Sequence, residues 1–145
     1  MNWKDNLITT DDGIRQLLSS TKRIAVIGIK TEEQSFQPAF YVPEYMKRAG
    51  FEVIPVPVYY PDVETILGEK VYRTLVDIPG EIDLVNVFRR SADVAKHTAD
   101  ILAKKPKAVW LQSGIRNDEV ARELAENGIK VVQDACLMVE HRHLR

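Results

Sequence analysis

The feature that most constrains this chain is an alternation of two patterns. Short runs rich in Val and Ile are followed by stretches whose apolar residues stand three and four apart. That is the sequence signature of strand–helix–strand units on a parallel sheet. Arg23-Ile24-Ala25-Val26-Ile27-Gly28, Glu52-Val53-Ile54-Pro55-Val56, Leu84-Val85-Asn86-Val87-Phe88, Ala108-Val109-Trp110-Leu111 and Lys130-Val131-Val132 read as strands, and Lys70-Val71-Tyr72 as a minor one. Such near-continuous apolar runs belong to strands covered on both faces. The pattern predicts one domain over residues 1–145. Its class is α/β: a doubly wound, mainly parallel sheet of roughly five to six strands with helices on both faces.

The connecting segments carry helix signals. Thr10 to Ser20 places Ile14, Leu17 and Leu18 on one face. Val42, Tyr45, Met46 and Ala49 follow helical spacing, with Gly50 as the stop. Either Pro38 is the first residue of that helix and Pro43 bends it, or the helix starts at Pro43. A short helix is expected around Val63–Leu67, closed by Gly68. Ser91 is expected to cap the next helix, with Asp93 in its first turn, Val94, Thr98, Ile101 and Leu102 facing inward, and His97 in solvent. Asn117 caps residues 118–127, whose Val120, Ala121, Leu124 and Ala125 form the inner face before Gly128.

Composition narrows the functional classes. With 45% hydrophobic and 28% charged residues the chain can build a packed core. Twenty basic residues against twenty-one acidic ones give a net charge of −1, which argues against a nucleic-acid-binding module. No apolar run approaches the roughly 18 residues that span a bilayer. Met1 to Asp5 contains no apolar signal core, and one cysteine cannot form an internal disulfide. The expectation is a soluble cytoplasmic protein with no nucleic-acid or membrane partner.

A doubly wound sheet binds its ligand outside the carboxyl ends of its strands, where strand order reverses. The loops that matter are therefore 28–37, 57–61, 88–91, 112–116 and 133–136. Gly28 allows close backbone approach, but Ile29-Lys30-Thr31-Glu32-Glu33 supplies none of the further glycines of a dinucleotide fingerprint. The second strand ends in Val56-Pro57-Val58, without the acidic residue that holds an NAD ribose. The prolines Pro55, Pro57 and Pro61 around Tyr59 and Tyr60 make either a rigid turn or a flat apolar shelf for a base. Arg89 and Arg90 at the next strand end offer guanidinium forks suited to phosphate, and Lys30 adds to that field. Gln112-Ser113-Gly114 supplies an amide, a hydroxyl and open backbone. Together these fit a phosphorylated, adenine-bearing ligand other than NAD.

The runs Ile24-Ala25-Val26-Ile27-Gly28, Gly50-Phe51-Glu52-Val53-Ile54-Pro55-Val56, Asp83-Leu84-Val85-Asn86-Val87-Phe88-Arg89-Arg90, Ala108-Val109-Trp110-Leu111-Gln112-Ser113-Gly114-Ile115 and Cys136-Leu137-Met138-Val139-Glu140-His141 resemble the stand-alone CoA-binding protein family. That family is similar to the N-terminal CoA-binding domain of the succinyl-CoA synthetase alpha subunit. The resemblance covers about residues 20–143 and implies a Rossmann-like fold with coenzyme A across the carboxyl edge. It places Gly28, Ile29 and Lys30 under the phosphates and Tyr41 close to them. It places Pro57 and Val58 beside the adenosine. Phe88, Arg89 and Arg90 would border the nucleotide or the pantetheine arm, with Gln112 and Gly114 beside that arm. Lys30 stands where many relatives have serine, Val56-Pro57-Val58 where they have Asn-Pro, and Ala135 where they have arginine.

For catalysis the residues offer little. Cys136 lies in an apolar run, His141 and His143 are two apart, and no metal set is evident. The synthetase resemblance implies phosphohistidine chemistry in a second domain, which this chain is too short to hold. The expectation is thus a protein that binds coenzyme A or an acyl-CoA, with no catalytic residue assigned. Two alternatives stand beside it: a thioester-processing enzyme using Cys136 or Asp134 with His141, and an interaction module with a vestigial nucleotide site. A homo-oligomer or a partner enzyme is compatible with each.

Overall fold

Strand residues alternate strictly between two buried layers in the computed structural model, which describes residues 2–144. Ala25, Ile27, Ile54, Val85, Val87, Val109, Leu111 and Val131 enter one core. Ile24, Val26, Val53, Leu84, Ala108, Trp110 and Val132 enter the other. This period-two partition, with both faces covered, explains why the strands read as continuous apolar runs.

The strands are β1 (Arg23–Ile27), β2 (Glu52–Val56), β3 (Thr65–Ile66), β4 (Glu69–Lys70), β5 (Leu84–Val87), β6 (Ala108–Leu111) and β7 (Lys130–Val132). The main sheet has five strands in the order β2-β1-β5-β6-β7, with every neighbouring pair parallel. The helices are α1 (Asp11–Ser19), α2 (Pro38–Arg48), α3 (Thr98–Lys104), α4 (Asp118–Glu126) and α5 (Leu137–Leu144). α1, α2 and α5 pack on one face through Ile14, Leu17, Phe40, Val42, Met46 and Leu137. α3 and α4 pack on the other through Ile101, Val120, Ala121 and Leu124. The α/β class and the doubly wound parallel sheet are those expected from the residues, and the Rossmann-like arrangement is the one the family resemblance implies. Among the described residues no helix is long and apolar enough to cross a membrane.

Three local expectations are corrected. The short helix around Val63–Leu67 is instead an antiparallel hairpin, in which β3 pairs with β4. Leu67 and Gly68 both have positive φ, at 56° and 74°, the two-residue turn that matches strand twist. Ser91 does not cap a helix: its hydroxyl oxygen accepts the Arg116 backbone N–H, and residues Ser91–His97 form a 3-10 segment before α3. His97 is half-buried rather than solvated.

The open choice at Pro38 and Pro43 resolves as a single helix. Pro38 begins α2, where a missing N–H costs nothing, and Pro43 lies inside it. The N-terminal 3-10 turn (Trp3–Asn6) covers α4: Arg122 lies 4.8 Å from the Trp3 ring centre, and Asn6 donates to the Ala125 carbonyl.

Candidate functional site

The chain leaves β1 to build β2 on one side, then returns to build β5 on the other. The strand order reverses between β1 and β5, so the loops at the carboxyl ends of these two strands run to opposite sides of the sheet's switch point. Gly28 follows β1 with φ +82°, and its N–H donates to the Val56 carbonyl at the end of β2. A Cβ on Gly28 would sit 2.2 Å from the Phe88 carbonyl oxygen and 3.5 Å from Arg89 Cδ. Only glycine lets the loops after β1 and β5 approach this closely.

The segment beyond Gly28 is braced by α2. Pro43 has no N–H to donate to Ala39 one turn earlier, so that carbonyl lacks its helical partner. The Lys30 N–H fills the gap at 3.1 Å. The proline thus anchors the loop to the helix. Ile29 is buried, and the Thr31 N–H and hydroxyl both donate to Gln34 Oε1. Tyr41, in the first turn of α2, is 38% exposed.

Arg89 leaves β5 with its stem over Gly28, and its Nε donates to His97 Nε2 at 3.1 Å. Burial, together with the adjacent Arg89 charge, holds the His97 imidazole below its usual pKa. Arg90 takes a different course. It pairs with Asp93 at 2.9 Å, as does Lys96, and these two cations push the Asp93 carboxyl down to about 2. Among the described residues, neither Lys30 nor Arg89 has a carboxylate within ion-pair distance.

On the β2 side, Pro57 is buried and Val58 half-buried against the core. Arg73 donates to the carbonyls of Tyr59, Tyr60, Pro61 and Val63, so it staples the turn that follows. Tyr59 remains 62% exposed. On the β6 side, Gln112 is buried, and its Oε1 accepts from Asn86 Nδ2 and from the Leu137 N–H at the start of α5. Gly114 (φ +83°) donates its N–H to Asp134 Oδ1 at 2.7 Å. Phe88 is half-buried against the α2 face.

Gly28, Ile29, Lys30, Pro57, Val58, Phe88, Arg89, Gln112 and Gly114 thus follow one another along the carboxyl edge, with Tyr41 on the adjoining helix. Arg90 is turned toward Asp93. Sequence reading did not single out His97, Arg73 or Asn86 for this edge. Their partners are eight or more residues away, and no local pattern marks them.

The residues of the thioester alternative have separate neighbours. Asp134 is engaged by Gly114. His141 Nδ1 lies 2.8 Å from the Tyr45 hydroxyl, and its ring meets Tyr45 and Phe51 edge-on. Cys136 is half-buried at the start of α5.

Residues 22–142 match the family described as CoA binding domain. The chain belongs to that family. It is 36% identical over 128 residues to the uncharacterized protein YneT of Bacillus subtilis, covering 88% of this chain and 91% of that one. A Thermus thermophilus protein of solved structure superposes with a TM-score of 0.86 at 40% identity, over 94% of this chain and all of that one. The dinucleotide-forming acetyl-coenzyme A synthetase 1 of Ca. Korarchaeum cryptofilum shares the fold, with a TM-score of 0.67 at 20% identity. That match covers 80% of this chain and 26% of the synthetase.

Proposed function

We propose that the carboxyl edge of this CoA-binding-family domain holds coenzyme A or an acyl-CoA, and that the protein senses, buffers or presents that cofactor. The observation that carries the reading is two cations, Lys30 and Arg89, that have no carboxylate within ion-pair distance among the described residues and stand on the two loops that meet at Gly28, where a Cβ would clash. Unneutralised side-chain charge at a strand-order reversal suits a ligand rich in phosphate.

Gly28, Ile29, Lys30 and Arg89 would hold the phosphates, with Tyr41 alongside. Pro57 and Val58 would flank the adenosine, on a turn that Arg73 keeps rigid. Phe88 and Gly114 would border the pantetheine arm. Gln112, locked between Asn86 and Leu137, would form part of the floor. Arg90 would contribute less, since Asp93 already engages it. The bound group would bring its thiol or thioester, and no residue of this chain is assigned a part in cleaving it. NAD fits poorly because β2 ends without an acidic residue. The lone cysteine suits the reducing cytoplasm, where we place the protein.

A thermal-shift comparison of coenzyme A, acetyl-CoA, NAD and ATP tests this. A ligand at about 100 times its Kd stabilises the native state by about 2.7 kcal/mol, a rise of roughly 5–10 °C for a domain of this size. That rise is expected with coenzyme A and acetyl-CoA and not with NAD. No shift with either CoA compound refutes the reading.

A further inference from the structure

Arg89 Nε and His97 Nε2 stand 3.1 Å apart, side chain to side chain, across the bend that follows β5. An arginine Nε–H can only donate, because the guanidinium keeps its proton throughout the physiological range. His97 Nε2 must therefore present its lone pair. The imidazole is neutral, with its proton on Nδ1. The ring is half-buried, and its surroundings favour that form. Burial and Arg89 oppose protonation, Asp100 and Asp93 favour it, and Lys96 opposes it. Both acids already have donors. Asp100 accepts the Leu75 and Val76 N–H groups, and Asp93 pairs with Arg90 and Lys96.

The choice of a histidine here has a consequence for charge. Aspartate or glutamate would hold the guanidinium as well, but would cancel its charge and so weaken any attraction for phosphate. A neutral imidazole fixes the same group and leaves its full positive charge. With Nε committed to His97 and the stem packed over Gly28, the two Nη groups are the ones left to face a ligand.

We propose that His97 is a positioning residue for the phosphate-binding Arg89: its neutral Nε2 holds the guanidinium beside Gly28 at full charge, so that coenzyme A binds tightly while the imidazole is neutral and more weakly once it is protonated. This role rests on the coenzyme A reading of the site. Protonation removes the acceptor and sets an imidazolium against the guanidinium, so Arg89 loses its fixed position.

The test compares coenzyme A affinity by calorimetry for the wild type, His97→Gln and His97→Leu from about pH 8 down through the protonation of His97, followed in the same samples by nitrogen NMR. Glutamine supplies an amide oxygen as acceptor and does not titrate. At about pH 8 the wild type and His97→Gln should agree within about twofold, and His97→Leu should bind about five- to tenfold more weakly. Toward acid pH, the ratio of wild-type to His97→Gln Kd should rise about fivefold. Titration of the ligand's own phosphates cancels in that ratio, since both proteins meet the same ligand. A flat ratio, or a His97→Leu protein with wild-type affinity, overturns the role while leaving coenzyme A binding intact. A wild type that binds no coenzyme A at any pH removes the site reading and this role together. Nitrogen NMR of the unliganded protein adds a check independent of the cofactor: an Nδ1–H tautomer at His97 is expected, and an Nε2–H tautomer contradicts the proposal.

Discussion

At the amino edge of the sheet, Asp83 accepts the backbone N–H groups of Lys22 and Arg23 and pairs with Lys107. Arg23 in turn reaches Glu52 and the carbonyls of Pro79 and Glu81. Burial pushes the Asp83 carboxyl up, but the two N–H donors and Lys107 outweigh it, and its pKa lies below the usual value. At the carboxyl edge the pattern inverts. Among the described residues Lys30 and Arg89 have no carboxylate within ion-pair distance, Arg89 is held by the His97 ring, and the loops are tied in place by a glycine contact and a freed helix carbonyl. One end of the sheet uses charge to tie strands together. The other leaves Lys30 and Arg89 available while Asp93 takes up Arg90 and Lys96, and backbone contacts hold the loop after β1.

The largest break in this contrast should come from Gly28→Ala. The new Cβ meets the Phe88 carbonyl, and φ is positive, so a loss of about 3 kcal/mol or more is expected in urea denaturation. Gly114→Ala is the control: its φ is also positive, but a Cβ there meets nothing within 4 Å, so only the strain of about 1–2 kcal/mol should appear. Equal losses would show that the Phe88 contact is unimportant.

Next in size is a paired exchange between the two edges. Asp83→Ala strands two N–H donors and should cost about 1–3 kcal/mol of stability with coenzyme A affinity unchanged. Arg89→Ala should do the opposite. Affinity should fall about 10- to 100-fold, and the melting temperature should stay close to that of the wild type. If both substitutions lower stability alike, the two edges do not differ as described.

The smallest effect concerns acid. The Asp93 carboxyl titrates at about 2 in the folded protein against an ordinary value of 3.8, chiefly through Lys96 and then Arg90. Its contribution is therefore complete above pH 3.8 and is lost as pH falls toward 2. In acid-unfolding curves, Asp93→Asn should flatten that limb slightly, and identical curves would contradict the assignment.

From the sequence alone followed the five strands of the main sheet, most helix faces and the cap of α4. Periodicity and capping are local: Asn117 accepts the Val120 N–H within a single turn. The hairpin at Leu67-Gly68 was missed because a leucine at positive φ is seldom favoured, and its neighbours impose it. The loops of the site were also legible, since strand ends follow once strands are known. What only the tertiary structure decided is which polar groups meet. Pro43 frees a carbonyl that Lys30 takes, Gln112 bridges Asn86 to Leu137, and His97 rather than a carboxylate holds Arg89. Hydrogen-bond partners are chosen by how separate elements pack. Two side chains eight or twenty-six residues apart become neighbours only after the sheet has formed.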